Sequence, residues 1–311
     1  MKILAKSGRK DIATVYIAEI ENGKRIEFVE SIQPPIPRDK KWVLIVSSLY
    51  GCPVNCRFCD AGGGYQGKLS TEDLLLQIDY LVKQYFPDNN INIDKFKIQF
   101  ARMGEPAFNQ NVLEVLKELP VIYNAPGLIP SISTIAPVGT EKFFDELLEI
   151  KEKYYGRKFQ MQFSIHTTDI NFRDWLIPVK KWDFGKIAEY GNKFYKAGDR
   201  KITLNFALAN NMPVSPQMLL NYFDPDKFLI KITPINPTFK AIKNNINSYI
   251  LPEKSEYELL NELKAAGYDV ILSIGELEEN KIGSNCGQYL TTYQNNKESI
   301  QNSYTYQLEK V

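Results

Sequence analysis

Apolar and polar positions along this chain fall into two alternating patterns. Short, nearly continuous apolar runs, "WVLIVSS", "KFKIQFA", "SISTIA", "FQMQFSIHT", "KITLNFALA" and "FLIKITPIN", read as buried strands. After each comes a segment with apolar residues at helical spacing: "STEDLLLQIDYLVKQYF", "NQNVLEVLKEL", "GTEKFFDELLEIKEKY", "KWDFGKIAEYGNKFYKAG", "SPQMLLNYF" and "EKSEYELLNELKAAG". Ser70 or Thr71 is placed to cap the first helix, with Glu72 and Asp73 in its first turn. These make six strand–helix pairs, and "YDVILSIG" closes or extends their sheet.

Nearly continuous apolar strands suit a parallel sheet covered by helices, so the fold class is α/β. A closed eight-unit barrel needs two more pairs, so six predict a partial (β/α)6 TIM-like barrel, open on one side. The alternative is an open doubly wound sheet, but its phosphate signature is absent after the first strand. "GGGYQGK" does not have phosphate-loop spacing. It reads as a loop that lets the backbone pack close to whatever precedes it.

Residues 1–40 read as a small β element, in which "TVYIAEI" and "RIEFVE" flank the hairpin signal Asn22-Gly23. "QPPIPRDKK" ends it, because Pro34, Pro35 and Pro37 exclude regular ladder pairing. The predicted organisation is an N-terminal hairpin extension over 1–40, a barrel over 41–290 and a tail over 291–311. The tail forms one more strand or stays loosely packed.

Composition narrows the function classes only a little. The chain has 311 residues, 44% of them hydrophobic, and a formal net charge of +1. That is enough for a sizeable core, with no strongly basic field calling for nucleic acid and none excluding it. Four cysteines are too few for a disulfide scaffold. "MKILAKSGRKD" has no secretory pattern and no stretch approaches a membrane span. The expectation is a cytoplasmic protein with reduced thiols and no membrane association.

Cys52, Cys56 and Cys59 share the stretch "GCPVNCRFCDAG", directly after the first buried strand, and Cys286 stands alone in "GSNCGQY". In a barrel the first position is the functional, C-terminal face. Clustered thiolates bind soft metal centres. A structural zinc site takes four protein ligands, which here leaves only Cys286 or the single histidine, His166, for the fourth. That reading makes the chain a non-enzymatic interaction protein. A cubane iron–sulfur cluster on three cysteines instead leaves one iron open. Such an iron chelates the amino and carboxylate groups of S-adenosylmethionine, and electron transfer then yields a 5'-deoxyadenosyl radical.

This cysteine spacing, with Phe58 before the last cysteine, resembles the hallmark of the radical SAM superfamily. The blocks "VSSLYGCPVNCRFCDAG", "MGEPAFN", "STIAPVG", "SIHTTDINFRDWLIPV", "KITPINP" and "CGQY", over residues 12 to 290, resemble the RlmN/Cfr-type RNA adenine methyltransferases in order and spacing. The resemblance implies a partial radical SAM barrel, a [4Fe-4S] cluster on Cys52, Cys56 and Cys59, and S-adenosyl-L-methionine as cofactor. It assigns Gly104 and Glu105 to the methionine part of that cofactor, a role their turn and carboxylate suit through charge-assisted hydrogen bonds. By the same resemblance Ser133 and the Ser164–Ile165–His166 segment are cofactor ligands at strand ends, and Asn236, between Pro234 and Pro237, meets the adenosine. Arg173 and Asp174 read as a simple pair. A low-potential donor of the flavodoxin or ferredoxin type must reduce the cluster.

In the RlmN/Cfr group the residue matching Cys286 first receives a methyl group, and a methylene radical formed there adds to an adenine. Glu27 matches the group's proposed proton acceptor. The resemblance also has gaps. Where the group has a cysteine that resolves the covalent adduct, this chain has Ile45, and thiolate attack needs a nucleophile within reach. The chain begins almost at the hairpin, where the group has a helical RNA-contacting domain. "GELEENKIGSNCGQY" places Glu276, Glu278 and Glu279 where positive charge helps bind phosphate. The expected acceptor is an RNA adenine or a smaller molecule, with methyl or methylene transfer through Cys286. The alternative is non-methylating radical chemistry on a small molecule or peptide.

Overall fold

The computed structural model describes residues 1–20, 23–251, 257–274, 277–284, 288–295 and 305–311. Seven strands run parallel and in sequence order across one sheet: β4 (Trp42–Val46), β7 (Phe96–Phe100), β8 (Leu128–Thr134), β9 (Gln160–Ser164), β10 (Ile202–Leu208), β11 (Phe228–Pro234) and β12 (Val270–Leu272). The short strand in "YDVILSIG" therefore extends the sheet beyond β11. No pairing closes the sheet among the described residues, and it stays open as the six-pair count expects.

On the other edge, β3 (Arg25–Ser31) pairs antiparallel with β4, β2 (Ala13–Glu19) with β3, and β1 (Lys2–Arg9) with β2. The hairpin read from the sequence is β2–β3. Its first partner, β1, was not anticipated, because "KILAKSGR" alternates too weakly to mark a strand. The tail supplies β13 (Glu309–Lys310), which pairs with β1. A separate two-stranded ribbon joins β5 (Leu49–Cys52) to β6 (Gly63–Lys68). "GGGYQGK" is thus mostly strand rather than loop. Its glycines do allow close packing: a Cβ on Gly51 would lie 2.5 Å from the Gly64 carbonyl oxygen.

The helices follow the periodic segments. They are α1 (Thr71–Lys83), α2 (Asn111–Ile122), α3 (Glu141–Ile150), α5 (Phe184–Phe194), α6 (Pro216–Leu220) and α8 (Glu258–Ala265). Ser70 caps α1 by accepting from Asp73 N at 3.1 Å. Four short helices escaped the periodicity reading: α4 (Ile170–Leu176), α7 (Phe239–Lys243), α9 (Leu277–Ile282) and α10 (Tyr289–Asn295). Seven residues or fewer hold two turns at most, too little for a period to declare itself.

The parallel strands are not apolar on both faces. Trp42, Leu44, Val46, Phe96, Ile98 and Phe100 are fully buried against the helices. The other face carries Lys97, Gln99, Ser131, Ser133, Gln162, Ser164, Asn205 and Lys231, brought side by side by the register. Gln162 Nε2 donates to Ser131 Oγ at 2.9 Å and Ser133 Oγ at 3.0 Å. A polar lining is expected where a sheet encloses a binding space rather than packing on another layer. Burial, reinforced by repulsion from Lys231, Lys41 and Arg200, pushes the Lys97 ammonium down to about 7.

Candidate functional site

Cys52 ends β5, and Cys56 and Cys59 lie on the loop that leads to β6. All three thiols are free and half-buried. A small apolar cluster, distinct from the main core, lies beside them: Val54, Phe58, Ile135, Leu176, Ala241 and Ile246 are buried there, with Cys52 and Cys56 packed against it, while Cys59 packs against the main core. The loop is tied at several points to the segment after β11. Thr238 Oγ1 donates to Phe58 O at 2.6 Å, and Asp60 accepts from Phe239 N and Lys240 N at 3.0 Å each. Lys240 Nζ also reaches Gly62 O at 2.7 Å, and Asn244 Nδ2 donates to Arg57 O at 2.8 Å.

Burial is the first cause of a raised pKa at each thiol. It pushes Cys52 up to about 12, with the nearby Cys59 adding to the effect, and it raises Cys56 and Cys59 as well. Three protonated thiols in one apolar pocket are a donor set waiting for positive charge, since a bound metal deprotonates a coordinating thiol. Among the described residues no three His, Cys, Asp or Glu side chains are placed to hold one metal ion. A cubane that takes one thiolate per iron needs its sulfurs farther apart than a single tetrahedral ion does. The three-thiol loop fits such a cluster by its donor chemistry and its enclosure.

The "RMGEP" turn lies directly beside this loop. Ser48 N and Leu49 N both donate to Met103 O, at 2.8 and 3.1 Å. Gly104 has φ +101°, and a Cβ there would sit 2.5 Å from Leu49 Cβ, so both the conformation and the contact require glycine. Glu105 is buried and accepts from Ala107 N (3.1 Å), Ile135 N (3.0 Å) and the Thr134 hydroxyl. All three donors are neutral. Burial outweighs them and pushes this carboxyl up to about 7.

The strand-end residues fall around the same mouth. Ser133 is half-buried and accepts from Gln162. Ser164 ends β9 opposite Asn205, and Ile165 N donates to Asn205 O at 2.9 Å. His166 has φ +67° and is buried edge-on to the Phe58 ring, centroids 5.1 Å apart. Its Nδ1 accepts from Ala207 N at 3.0 Å, and burial pushes the imidazole down to about 3, so it is neutral. Asn236 is buried in the turn whose Thr238 holds Phe58. Asn205, which no motif marked, faces the same polar lining between Ser164 and Lys231.

Glu27 lies on another wall. It is fully buried on β3, and its carboxylate pairs with Arg102 and accepts from Leu290 N at 2.7 Å, at the start of α10. Arg102 also donates to Gly283 O at 2.9 Å and Ser284 O at 3.0 Å. Arg102 was missed because an arginine before "MGEP" carries no signal of its own. Cys286 lies outside the described residues. Two sequence expectations change. Arg173 and Asp174 do not pair: Arg173 is buried and donates to Trp182 O, while Asp174 pairs with Lys181. Glu279 does not face the mouth, because it is buried and accepts from Ser31 Oγ at 2.9 Å. The side chains of Glu276 and Glu278 lie outside the description.

Between the two walls opens a cavity of about 630 Å3, lined among others by Tyr50, Met103, Arg25, Lys240, Lys243 and Gln288. Gln288 Nε2 lies 2.7 Å from Met103 Sδ, which brings Gln288 to the "MGEP" block. No family model matches the chain. It is 27% identical over 220 residues to a protein described as a probable dual-specificity RNA methyltransferase RlmN from Parasynechococcus marenigrum, covering 70% of this chain and 60% of the relative. A relative of the same description from Thermotoga petrophila is 26% identical over 301 residues, 91% of this chain and 81% of its own length. A crystal structure of a radical SAM methyltransferase from Sphaerobacter thermophilus superposes with a TM-score of 0.64 over 93% of this chain and 81% of that one, at 17% identity. The chain is thus similar, at low identity, to proteins described as RlmN-type RNA methyltransferases, and it shares its fold with a radical SAM methyltransferase. It spans only about 60% of the length of the RlmN relative from P. marenigrum. Ile45, in the place of the resolving cysteine that the resemblance implies, is half-buried on β4 and paired with Val29. No described helix is long and apolar enough to cross a membrane.

Proposed function

We propose that this protein is a radical SAM enzyme that holds a [4Fe-4S] cluster on Cys52, Cys56 and Cys59 and transfers a methyl or methylene group through Cys286. The observation that carries the reading is the set of three free, half-buried thiols on the loop after the first parallel strand, beside a buried carboxyl that meets only neutral donors. The cluster, when bound, supplies the electron that cleaves S-adenosylmethionine. The chain's residues do the rest. Glu105 offers its raised carboxyl to the cofactor's ammonium, Gly104 lets the backbone approach, and Ser133, Ser164 and Asn236 present polar groups at strand ends. Ile165 and His166 hold the strand end against Asn205 and Phe58.

The acceptor lies in the cavity. Arg25, Lys240 and Lys243 on its lining favour an anionic molecule, an RNA adenine or a smaller phosphorylated acceptor. With Glu279 turned inward, the charge objection to RNA loses one of its three acids. Ile45 supports a second reading, radical chemistry without methylation, because no described thiol stands ready to release a covalent adduct. The test is anaerobic reconstitution with iron and sulfide, then S-adenosylmethionine and dithionite. The proposal expects 5'-deoxyadenosine and a methyl group on Cys286. 5'-Deoxyadenosine with unmodified Cys286 selects the second reading. Neither product, with zinc bound instead of iron, returns the chain to a structural metal protein.

A further inference from the structure

The outer side of the cysteine loop carries a surface whose polarity is inverted. Helix α4 buries Arg173, 5% exposed, and turns Ile170, Phe172 and Trp175 to solvent at 60%, 41% and 40%. A solvent-facing helix normally does the reverse. Arg57, between Cys56 and Cys59, lies over the Trp175 ring at 5.7 Å, and its backbone N donates to Leu176 O at 2.9 Å. Asn244, just after α7, holds the Arg57 carbonyl, and Ile242 on α7 is 54% exposed. Phe172, Trp175, Arg57 and Ile242 thus form one aromatic, apolar and cationic patch directly over the thiol loop. Large aromatics with arginine are the residues that dominate protein–protein binding energy.

Helix α7 separates this patch from the cavity. Lys240 and Lys243 line the cavity, Ala241 packs inward on the thiol cluster, and Ile242 points away to solvent. The two surfaces can therefore be occupied together. Cluster reduction demands such an arrangement, because the electron must arrive while the cofactor and acceptor are in place.

We infer that the Phe172–Trp175–Arg57–Ile242 patch is the docking surface for a one-electron donor protein with an acidic rim around its redox centre. The inference rests on the proposed function. The donor loses one electron, the cluster bound at Cys52, Cys56 and Cys59 gains it, and no bond forms or breaks. Charge complementarity with the exposed Arg57 favours the acidic partner, since the carboxylate of Asp174 beside Trp175 is already paired with Lys181 at 2.5 Å, and the peptide link from Arg57 to Cys56 makes this face the short route inward.

The experiment uses the reconstituted full chain, with flavodoxin as the probe. Binding is followed by flavin fluorescence against ionic strength for the unaltered protein, Phe172→Ser, Trp175→Ala and their combination. 5'-Deoxyadenosine formation is followed separately with dithionite and with reduced flavodoxin. The expected result is at least roughly tenfold weaker flavodoxin binding in the double variant, equal loss of flavodoxin-driven product, unchanged iron content and unchanged dithionite-driven product. Flavodoxin binding that ignores both substitutions overturns the inference and leaves the proposed function standing. So does a loss confined to a short oligoribonucleotide, which would make the patch a base-stacking surface. No product with dithionite in the unaltered protein overturns the proposed function itself, and the inference with it.

Discussion

Two buried glutamates, one on β3 and one in the turn after β7, stand on different walls and are treated differently. Glu27 meets a guanidinium: burial raises its pKa, and Arg102 pulls it back. Glu105 meets only a hydroxyl and two backbone N–H groups, and stays at about 7. The first wall is electrically complete and serves as scaffold, joining β3 to the backbone on both sides of the segment that contains Cys286. The second wall is incomplete at Glu105, a buried carboxyl whose partners are all neutral. A buried charge that already has its partner holds structure, and one that lacks it marks where a ligand belongs.

The largest effect is expected where the complete wall is broken. Arg102→Met leaves Glu27 ionisable, fully buried and without its cation, and releases the carbonyls of Gly283 and Ser284. The expected loss is about 3–5 kcal/mol in urea unfolding. Glu27→Gln in the Arg102→Met background should return much of it. If the double variant is as unstable as the sum of the singles, the two side chains are not a coupled pair and the comparison fails.

Glu105 should dominate a different measurement, the pH dependence of stability. Its folded pKa of about 7 lies above the unfolded carboxylate value near 4.5. Above pH 7 both states are ionised and the folded state carries the full cost of the buried charge. As pH falls through 7 the folded form takes up a proton that the unfolded chain accepts only near 4.5, so stability rises. The unaltered protein should gain about 3 kcal/mol relative to Glu105→Gln between pH 8 and pH 4.5. Lys97 titrates near the same pH, and its contribution rises in the other direction, above pH 7. The difference between the two proteins therefore isolates Glu105. A flat difference would show that this wall, too, has its charge compensated.

Gly104→Ala probes the incomplete wall without altering charge. The new Cβ meets Leu49 at a backbone φ of +101°, so about 2–3 kcal/mol should be lost. The turn should pull away from the β5 strand that leads to Cys52. Thermal unfolding reads the stability, and the iron bound after reconstitution reads the displacement. Full iron loading at the lower stability would show that the turn and the cysteine loop move independently.

Much of the second wall was legible in the sequence, and little of the first. Strand order followed from six apolar runs and the helical segments between them, of which α1, α2, α3 and α5 run ten residues or more. Cys52, Cys56 and Cys59 declared themselves by their spacing, and Gly104 and Glu105 came only through the family resemblance of the "MGEP" block. Arg102 did not, since its partners are an acid 75 positions earlier in the chain and carbonyls 181 and 182 positions later. Glu279 misled for the same reason: its charge was visible, but its burial against Ser31 depended on a short helix with no readable period. The polar lining was hidden as well, because Gln99, Ser133 and Gln162 sit singly inside runs that otherwise read as apolar.

The smallest expected effect tests what joins the cysteine loop to the rest of its wall. Thr238 does two things at once: its hydroxyl donates to Phe58 O and accepts from Ala241 N at 3.0 Å, capping α7. Thr238→Val keeps the shape and removes both bonds, for a loss of about 1 kcal/mol. Thr238→Ser keeps both bonds and should lose almost nothing. The informative quantity is iron retention under a chelator. Phe58 precedes Cys59, so releasing its carbonyl frees the loop at the proposed ligand. Thr238→Val should lose iron faster than its stability alone accounts for, and Thr238→Ser should not. Equal retention in all three proteins would mean that Asp60, through Phe239 N and Lys240 N, holds the loop unaided.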